Sequence, residues 1–273
     1  MPEGDTLYKA AAAVGPVLRG RPILRASSSD RTTVDPIDAP SLVGRTVTEV
    51  AARGKHLMIS LDDDRVVHSH LGMTGAWHAY PQGEAWRKPA SQAALALETE
   101  HHAVVCFSPK LLELVSVLSL RRNDYLRRLG PDLMRPDSDL NVALARLRTH
   151  PLAPIGEAVM NQTLVAGIGN VYKSETLFVA RINPWTRVGD LSDERLLGYL
   201  EATRRLMRRN RGRGRRVTRQ NGAGGRHWVY GRRGEPCSEC GEPIRLRRQG
   251  DAGRSTYWCA SCQPVACFDD STP

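Results

Sequence analysis

Two Cys-x-x-Cys pairs near the C-terminus constrain the fold of this chain more than any other feature. Cys237 and Cys240 form the first pair, Cys259 and Cys262 form the second, and 18 residues lie between the pairs. Four thiolates at this spacing are typical of a tetrahedral zinc site built on a β-hairpin. A redox role would not require two such pairs, and four thiolates leave no coordination position open. The pattern therefore predicts one structural Zn²⁺ ion as cofactor, with no catalytic metal.

The other two cysteines do not belong to this pattern. Because four of the six cysteines are in the pairs, metal binding is favoured over disulfides. Cys106 lies in an apolar run and is expected to be a small buried hydrophobic side chain. Cys267 lies in the polar C-terminal tail and has no predicted role.

The charge of the chain indicates a polyanionic partner. The 273 residues include 39 Lys and Arg against 29 Asp and Glu, a net charge of +10, which makes nucleic acid the leading candidate. Nine arginines between positions 204 and 219 predict a mobile basic loop up to Gly225 that binds phosphates; a solvated charge run is the alternative. No long apolar run and no signal sequence are present, which predicts a cytoplasmic protein, nucleoid-associated when bound to DNA.

The N-terminus carries a candidate nucleophile. Met1 precedes a small residue, so its removal would leave the secondary amine of Pro2 free to form an iminium with a sugar aldehyde. Glu3 stands beside it as a proton donor or acceptor. The stretch from Glu3 to Leu18 has helical spacing, which would place both groups at a helix N-terminus. Taken alone, an ordinary helix start explains the same residues equally well.

The remaining pattern predicts a β-rich half followed by a helical half. The expected strands are Thr46–Val50, Leu57–Leu61, Arg65–Leu71 and Ala103–Phe107, with loops at Ser27–Pro40 and Tyr80–Pro89. A break at Gly130–Pro136 is expected to be the hinge. The expected helices are Leu140–Leu147, Ile155–Asn161, Glu175–Ala180 and Asp193–Asn210. His68 and His70 alternate on a strand without an evident acidic partner, so core or surface positions are favoured over metal binding.

Three motifs carry a resemblance to a known family: Met-Pro-Glu-Gly at the start, Val165–Tyr172 around a Gly-x-Gly-Asn turn, and Trp228–Arg232 before the cysteine pairs. Their order and spacing resemble the formamidopyrimidine-DNA glycosylase and endonuclease VIII family, from the first residue to about Gln263. The resemblance implies an α+β fold. Its parts would be an N-terminal β-sandwich domain with a flanking helix (1–130), a helix-two-turn-helix domain (131–228), a zinc-finger hairpin (229–264) and a tail (265–273).

The resemblance also implies a function, that of a base excision repair DNA glycosylase with abasic-site lyase activity that acts by β,δ-elimination. In this family the residue matching Pro2 is the nucleophile, Glu3 transfers protons, and the lysine matching Lys55 lies at the active site. Asn170 and Arg254 match phosphate-binding residues. Met73 matches a wedge that enters the duplex, although a gap-filling methionine in the core explains it equally well. Without the resemblance, Lys55 would be a solvated hairpin lysine.

One segment indicates the branch of the family. Members specialised for 8-oxoguanine carry Arg-Phe where this chain has Leu111 and Leu112, within Ser108–Glu113. This resembles the endonuclease VIII branch and implies oxidised pyrimidines as substrates. The expected partner is damaged DNA, duplex and also single-stranded, bound by a monomer. The alternatives are a non-catalytic zinc-containing DNA-binding protein on the same scaffold and, with less support, an RNA-binding zinc ribbon.

Overall fold

The computed structural model describes residues 2–29, 34–212, 214–219 and 225–264. Contacts divide the chain into two compact units, Met1–Arg128 and Leu129–Pro273. The tail with Cys267 lies outside the described residues. Within the described ranges, every helix is too short or too polar to cross a membrane.

The first unit is a sandwich of two antiparallel sheets with one long helix, α1 (Gly4–Leu18). One sheet has the order β2 (Val47–Arg53), β3 (His56–Leu61), β4 (Arg65–His70), β8 (Leu111–Ser116). The other has the order β1 (Arg25–Ser27), β6 (Ala93–Glu98), β7 (His102–Phe107), β5 (Ala76–Pro81). Two short helices, α2 (Val117–Arg122) and α3 (Asp124–Arg128), close the unit. The predicted sandwich with a flanking helix is confirmed.

The core of this unit lies between the sheets and under α1. Successive side chains of a strand point to opposite faces, so Leu57, Ile59 and Leu61 of β3 all reach the core. Helix α1 buries the stripe Leu7, Ala10, Val14 and Leu18 against it. Ala11, next to this stripe, is only half-buried. Cys106 is fully buried in the same core, as expected.

The four predicted strands exist, extended by one to three residues or shortened by one at an end. The predicted loop Tyr80–Pro89 is wrong at its start, because Tyr80 and Pro81 complete β5. Strands β1, β5, β6 and β8 and helices α2 and α3 were not predicted. Strand β6 is rich in alanine and is buried on both faces, so it lacks the alternation that identifies a strand.

The second unit is helical and ends in a β-hairpin. Its helices are α4 (Leu140–Arg148), α5 (Ile155–Ala158), α6 (Asn170–Val179) and α7 (Asp193–Arg209), and its hairpin pairs β9 (Arg245–Gln249) with β10 (Arg254–Trp258). All four predicted helices are present, but α6 begins five residues earlier than predicted. Gly169 is its N-cap, so the helix follows the glycine turn directly.

A buried carboxylate joins α6 to the segment that leads into the hairpin. Glu175 is fully buried and accepts hydrogen bonds from the backbone N–H groups of Trp228 (2.7 Å), Val229 (2.9 Å) and Tyr230 (2.8 Å), and from the Thr218 hydroxyl. Such donors compensate the cost of burying a charge. The Trp228–Arg232 motif is therefore fixed onto the helix that follows the glycine turn.

Candidate active site and nucleic-acid interface

The N-terminal residues are held by the start of α1. Glu3 is the N-cap of the helix and its side chain is completely buried, while Pro2 is half-buried. Thr6 Oγ1 accepts a hydrogen bond from the Glu3 backbone N–H at 3.3 Å, so Thr6 helps to cap the helix. The positive end of the helix dipole disfavours a protonated amine and favours a carboxylate at this point.

The direction of α1 places this N-terminus at one end of the sheet. Gly15 packs against Val50, and Arg19 pairs with Val47. The helix therefore runs antiparallel to β2, and its first turn lies toward the end where β2 turns into β3. That turn has two residues, Gly54 with φ +59° and Lys55, between the paired residues Arg53 and His56. Glycine permits this conformation, which puts Lys55 at the tip of the hairpin.

The loop that carries Met73 leaves the same end of the sheet, because His70 at the end of β4 pairs with His56 at the start of β3. Met73 is 70 % exposed, which excludes the alternative of a gap-filler in the core. The loop is tightly packed: a Cβ on Gly75 would lie 2.4 Å from the Leu71 carbonyl oxygen. The backbone N–H of Gly72 donates to His70 Nδ1 at 3.2 Å.

A cluster of imidazoles lies beside these segments, and His68 is buried, one of the two kinds of position expected for it. Only the premise that it has no acidic partner is wrong. His68 has an acidic partner: its Nδ1 lies 2.7 Å from Glu113 Oε1. Its Nε2 lies 2.9 Å from His56 Nδ1, and the His70 and Tyr125 rings pack against His56 with centroids 4.9 and 5.5 Å away. Glu113 is 45 residues from His68 along the chain, and only strand pairing brings them together.

Burial keeps two of these rings neutral. Desolvation, reinforced by His68, His70, Arg53 and Lys55, lowers the pKa of His56 from 6.5 to about 3. Desolvation and the charges of Lys55 and Lys110 lower the pKa of His70 from 6.5 to about 4. Lys55 is therefore near both rings.

The segment that indicated the branch of the family divides between two environments. Leu112 is buried in the sandwich core, whereas Leu111, one residue earlier on β8, is partly exposed at the sheet end. Alternation along the strand causes the difference.

In the second unit, the glycine turn is built by Gln162. Its Oε1 accepts from the Gly167 N–H at 3.0 Å, and its Nε2 donates to the Ile168 carbonyl at 3.0 Å. Gly167 has φ +97°, a conformation that favours glycine. Asn161 accepts from the Thr163 N–H at 3.0 Å through its amide oxygen, which orders the segment that leads from α5 into the turn.

The structure brings together the two predicted phosphate-binding residues of this unit. Asn170 Nδ2 donates to the carbonyl of Ser255 at 2.6 Å, and Ser255 follows Arg254 at the start of β10. Lys173, one turn further along α6, donates to Thr256 Oγ1 at 2.7 Å. Arg254 is exposed and lines a cavity of about 210 Å³ together with Lys173 and Asp251.

The four paired cysteines converge as predicted. All four Sγ atoms lie within 4.8 Å of one another, with 3.8 Å between Cys237 and Cys262 and 3.4 Å between Cys240 and Cys259. A tetrahedron of Zn–S bonds of about 2.3 Å requires S–S separations of about 3.8 Å, so one zinc ion fits. The sulfurs also adjoin an apolar cluster with Phe178 of α6 and Ile244, so the hairpin shares its core with the helical part.

The basic loop is only partly described, since residues 213 and 220–224 lie outside the described ranges. In the part that is described, Arg216 lies over the Tyr172 ring at 4.9 Å and Arg219 over the Trp228 ring at 5.5 Å. Asn210 receives the Val217 N–H at 2.8 Å. This part of the run packs on the unit and is not a fully solvated charge run.

Comparison with known protein families finds matches to three parts of the chain. Residues 1–110 match the description "Formamidopyrimidine-DNA glycosylase N-terminal domain", residues 129–220 the "Formamidopyrimidine-DNA glycosylase H2TH domain", and residues 234–265 the "Zinc finger found in FPG and IleRS".

The chain belongs to the formamidopyrimidine-DNA glycosylase family. It is accordingly an enzyme of DNA repair, a DNA glycosylase and abasic-site lyase with a structural zinc finger. A probable endonuclease 8 2 of Streptomyces coelicolor is 39 % identical to it over 96 % of this chain and 94 % of the relative. The DNA-(apurinic or apyrimidinic site) lyase Nei2 of Mycolicibacterium smegmatis is 37 % identical over 97 % of this chain and 100 % of the relative.

Solved structures of the family have the same fold. The Lactococcus lactis enzyme in complex with DNA containing N7-benzyl-Fapy-dG aligns with a TM-score of 0.78 and 22 % identity, over 96 % of this chain and 100 % of that one. A complex of the same enzyme with DNA containing an oxidised pyrimidine gives a TM-score of 0.79 at 23 % identity, with the same coverage.

Removing zinc from this family member should weaken DNA binding without unfolding the first unit. A chelator removes the metal and Cys237→Ser removes one of its four ligands, so either change loosens the hairpin that carries Arg254. Two quantities are measured: the affinity for DNA and the NMR signal of the Trp77 indole N–H. That signal reports whether the first unit is folded, because the Trp77 indole donates to the Ser69 hydroxyl at 2.9 Å. Adding zinc back to the metal-free protein should restore DNA binding. Active purified protein without zinc would contradict the assignment.

The buried histidines should make the first unit sensitive to acid. Above about pH 6.5 neither the folded nor the unfolded chain protonates them. Below pH 6.5 the histidines of the unfolded chain bind protons, whereas in the folded chain His70 stays neutral down to about pH 4 and His56 down to about pH 3. The free energy of unfolding therefore decreases as the pH is lowered through this window. The urea midpoint followed by Trp77 should drop from pH 7 to 5, and drop less in His56→Phe. A midpoint that rises on acidification would contradict this.

Proposed function

We propose that this enzyme removes oxidised pyrimidines from DNA and cuts the strand by β,δ-elimination through a Schiff base on Pro2. The observation that carries the proposal is the completely buried Glu3 carboxyl directly after Pro2, at the sheet end that also holds Lys55. A carboxyl at this point can transfer a proton to a leaving base. A protein that only binds DNA has no need of this arrangement.

The proposed reaction assigns one step to each group. The Pro2 nitrogen bonds to C1′ of the damaged nucleotide while the C1′–base bond breaks, and the departing base takes a proton from Glu3. The C1′–O4′ bond then breaks as O4′ takes up the proton that the Pro2 nitrogen loses, and the resulting iminium between Pro2 and C1′ withdraws electrons from the sugar. Loss of a C2′ proton then expels the 3′ phosphate, and a second elimination expels the 5′ phosphate. Water finally hydrolyses the iminium and frees Pro2.

The phosphates must be held while these bonds break. In the proposal, Lys55 neutralises the phosphate next to the reacting sugar, and Asn170 and Arg254 bind the neighbouring ones. The hydrogen bond from Asn170 to Ser255 supports joint action, because it connects the glycine turn to the strand of Arg254. Zinc serves by stiffening that hairpin. The protein is proposed to act as a monomer on damaged duplex DNA and also on single strands.

The residues expected to face the duplex support oxidised pyrimidines as the lesion class. Met73 is exposed on a rigid loop and is the proposed wedge. Leu112 is in the core and Leu111 is apolar, so neither can donate to an orphaned base. A good bidentate base contact contributes about 1–3 kcal/mol of discrimination, which this enzyme would lack. The relatives named endonuclease 8 agree with this branch.

The nucleophile is tested by borohydride trapping. We expect active protein to lack Met1 by mass spectrometry and to form a covalent adduct with an abasic-site oligonucleotide under borohydride, because the free Pro2 amine forms a reducible iminium. The control is Pro2→Leu, whose bulky second residue preserves Met1 and moves the amine away. Absence of an adduct would favour a non-catalytic DNA-binding protein. Equal trapping by Pro2→Leu would contradict the assignment of Pro2.

Glu3→Gln should separate the two activities. Loss of the proton donor should slow excision of a damaged base by about 100- to 10,000-fold. Cleavage at a preformed abasic site should be slowed far less, since that sugar already offers an aldehyde. Asp5→Asn is the matched control, because Asp5 is a buried carboxylate in the same helical turn. Equal losses on both substrates would show that Glu3 only maintains structure.

The lesion preference should follow from the missing Arg-Phe pair. We expect cleavage of 5-hydroxyuracil or thymine glycol well above 8-oxoguanine, with little dependence on the opposite base. Single strands and bubbles should compete well, because they need no unpairing. Cleavage rates on matched oligonucleotides, with each lesion opposite each base and in single strands, measure this. Fast excision of 8-oxoguanine only opposite cytosine would contradict the assignment to the endonuclease VIII branch.

A further inference from the structure

The imidazole cluster occupies a buried polar layer on the outer face of one sheet. Residues 57, 59 and 61 of β3 point into the sandwich core, so His56 points the other way. Register places His70 beside His56 and Glu113 beside His68 on that same outer face. His56 and His68 are nevertheless buried, and Tyr125 of α3 covers His56 from outside.

Glu113, His68 and His56 form a continuous hydrogen-bonded chain across this layer. At its outer end, Glu113 lines a cavity of about 280 Å³ together with residues of β8, α2 and the α2–α3 junction, namely Val115, Ser119, Leu120, Arg122 and Asn123. At its inner end, His56 directly follows Lys55. The chain therefore connects a partly exposed carboxylate with the backbone of the Lys55 turn.

The hydrogen bonds restrict the tautomers of the rings. The Glu113 carboxylate accepts the Nδ1–H of His68 at 2.7 Å, so a neutral His68 accepts through Nε2 from the Nδ1–H of His56 at 2.9 Å. The positive charges of Arg53, Lys55 and Lys110 around the rings disfavour a further positive charge. His56 Nε2 is then a buried lone pair, and among the described residues it has no hydrogen-bond partner.

We propose that Glu113, acting through His68 and His56, is a positioning residue for Lys55 in the reaction described above. The chain pins the His56 ring and with it one side of the two-residue turn that carries the lysine. It also keeps His56 in its neutral Nδ1–H form, so that His56 does not become a second cation near Lys55. This proposal rests on the role of Lys55 in the proposed function.

The tautomer is tested directly by long-range ¹H–¹⁵N spectra of the imidazole rings at pH 7. We expect His56 to be neutral with its proton on Nδ1, and Glu113→Ala to abolish that single tautomer. A proton on Nε2 of His56 in the wild-type protein would overturn the proposal.

The positioning role is tested by a double-mutant cycle on a preformed abasic site in a single strand, where no wedge is needed. Glu113→Ala, which removes the acceptor for the His68 Nδ1–H, should slow single-turnover cleavage about 10-fold or more when Lys55 is present. In a Lys55→Ala background it should change the rate by less than about 2-fold, because the effect travels through Lys55. Glu49→Ala is the matched control, an exposed carboxylate on the opposite edge strand of the same sheet, and should change the rate by less than about 2-fold.

The outcomes separate the two proposals. If Lys55→Ala retains the full rate, the role of Lys55 in the proposed function fails and the positioning role fails with it. If Lys55→Ala is slow but Glu113→Ala slows it further by the same factor as in the wild type, only the positioning role fails, because such additivity indicates a general structural effect. The Trp77 indole N–H signal confirms that each variant is folded.

Discussion

The chemistry of the first unit depends on the pairing of three strand ends. His56, His70 and Leu111 are aligned across β3, β4 and β8, so the turn with Lys55, the loop with Met73 and the start of β8 leave one edge of the sheet together. A shift of one residue in either pairing would move every core side chain to the outer face, so burial of Leu57, Ile59 and Leu112 fixes the register. Helix α1, antiparallel to β2, adds Pro2 and Glu3 toward this edge.

In the second unit, buried polar contacts join the hairpin to the helical part, in addition to the shared apolar cluster. Lys173 donates to Thr256, whose hydroxyl donates to Gln249 at 2.9 Å, and Gln249 donates to the Pro184 carbonyl at 2.9 Å. Gln263 ties the second cysteine pair to the helices through the Cys259 N–H and the Ile182 carbonyl. The zinc finger is therefore not an independent appendage, and its metal, hairpin and glycine turn are expected to respond together.

The sequence predicts what depends on local chemistry. The cysteine spacing led to a converged metal site, and the glycine turn and family motifs led to the correct fold class. Elements without a local signal were missed: β6 because its alanines favour helix, and α6 before Glu175 because its start depends on the turn built by Gln162. The Glu113–His68–His56 chain was missed because a carboxylate 45 residues away cannot be identified as a partner before the strand register is known.

The central claim is that the nitrogen of Pro2, the second residue of the chain, is the nucleophile that attacks the sugar. Peptide mapping by mass spectrometry of the borohydride-reduced protein–DNA adduct tests it most directly. The account predicts that the oligonucleotide remnant is attached to the N-terminal peptide, on the nitrogen of Pro2, in a chain that has lost Met1. Attachment to Lys55 or to any other lysine, with an unmodified Pro2, would contradict it.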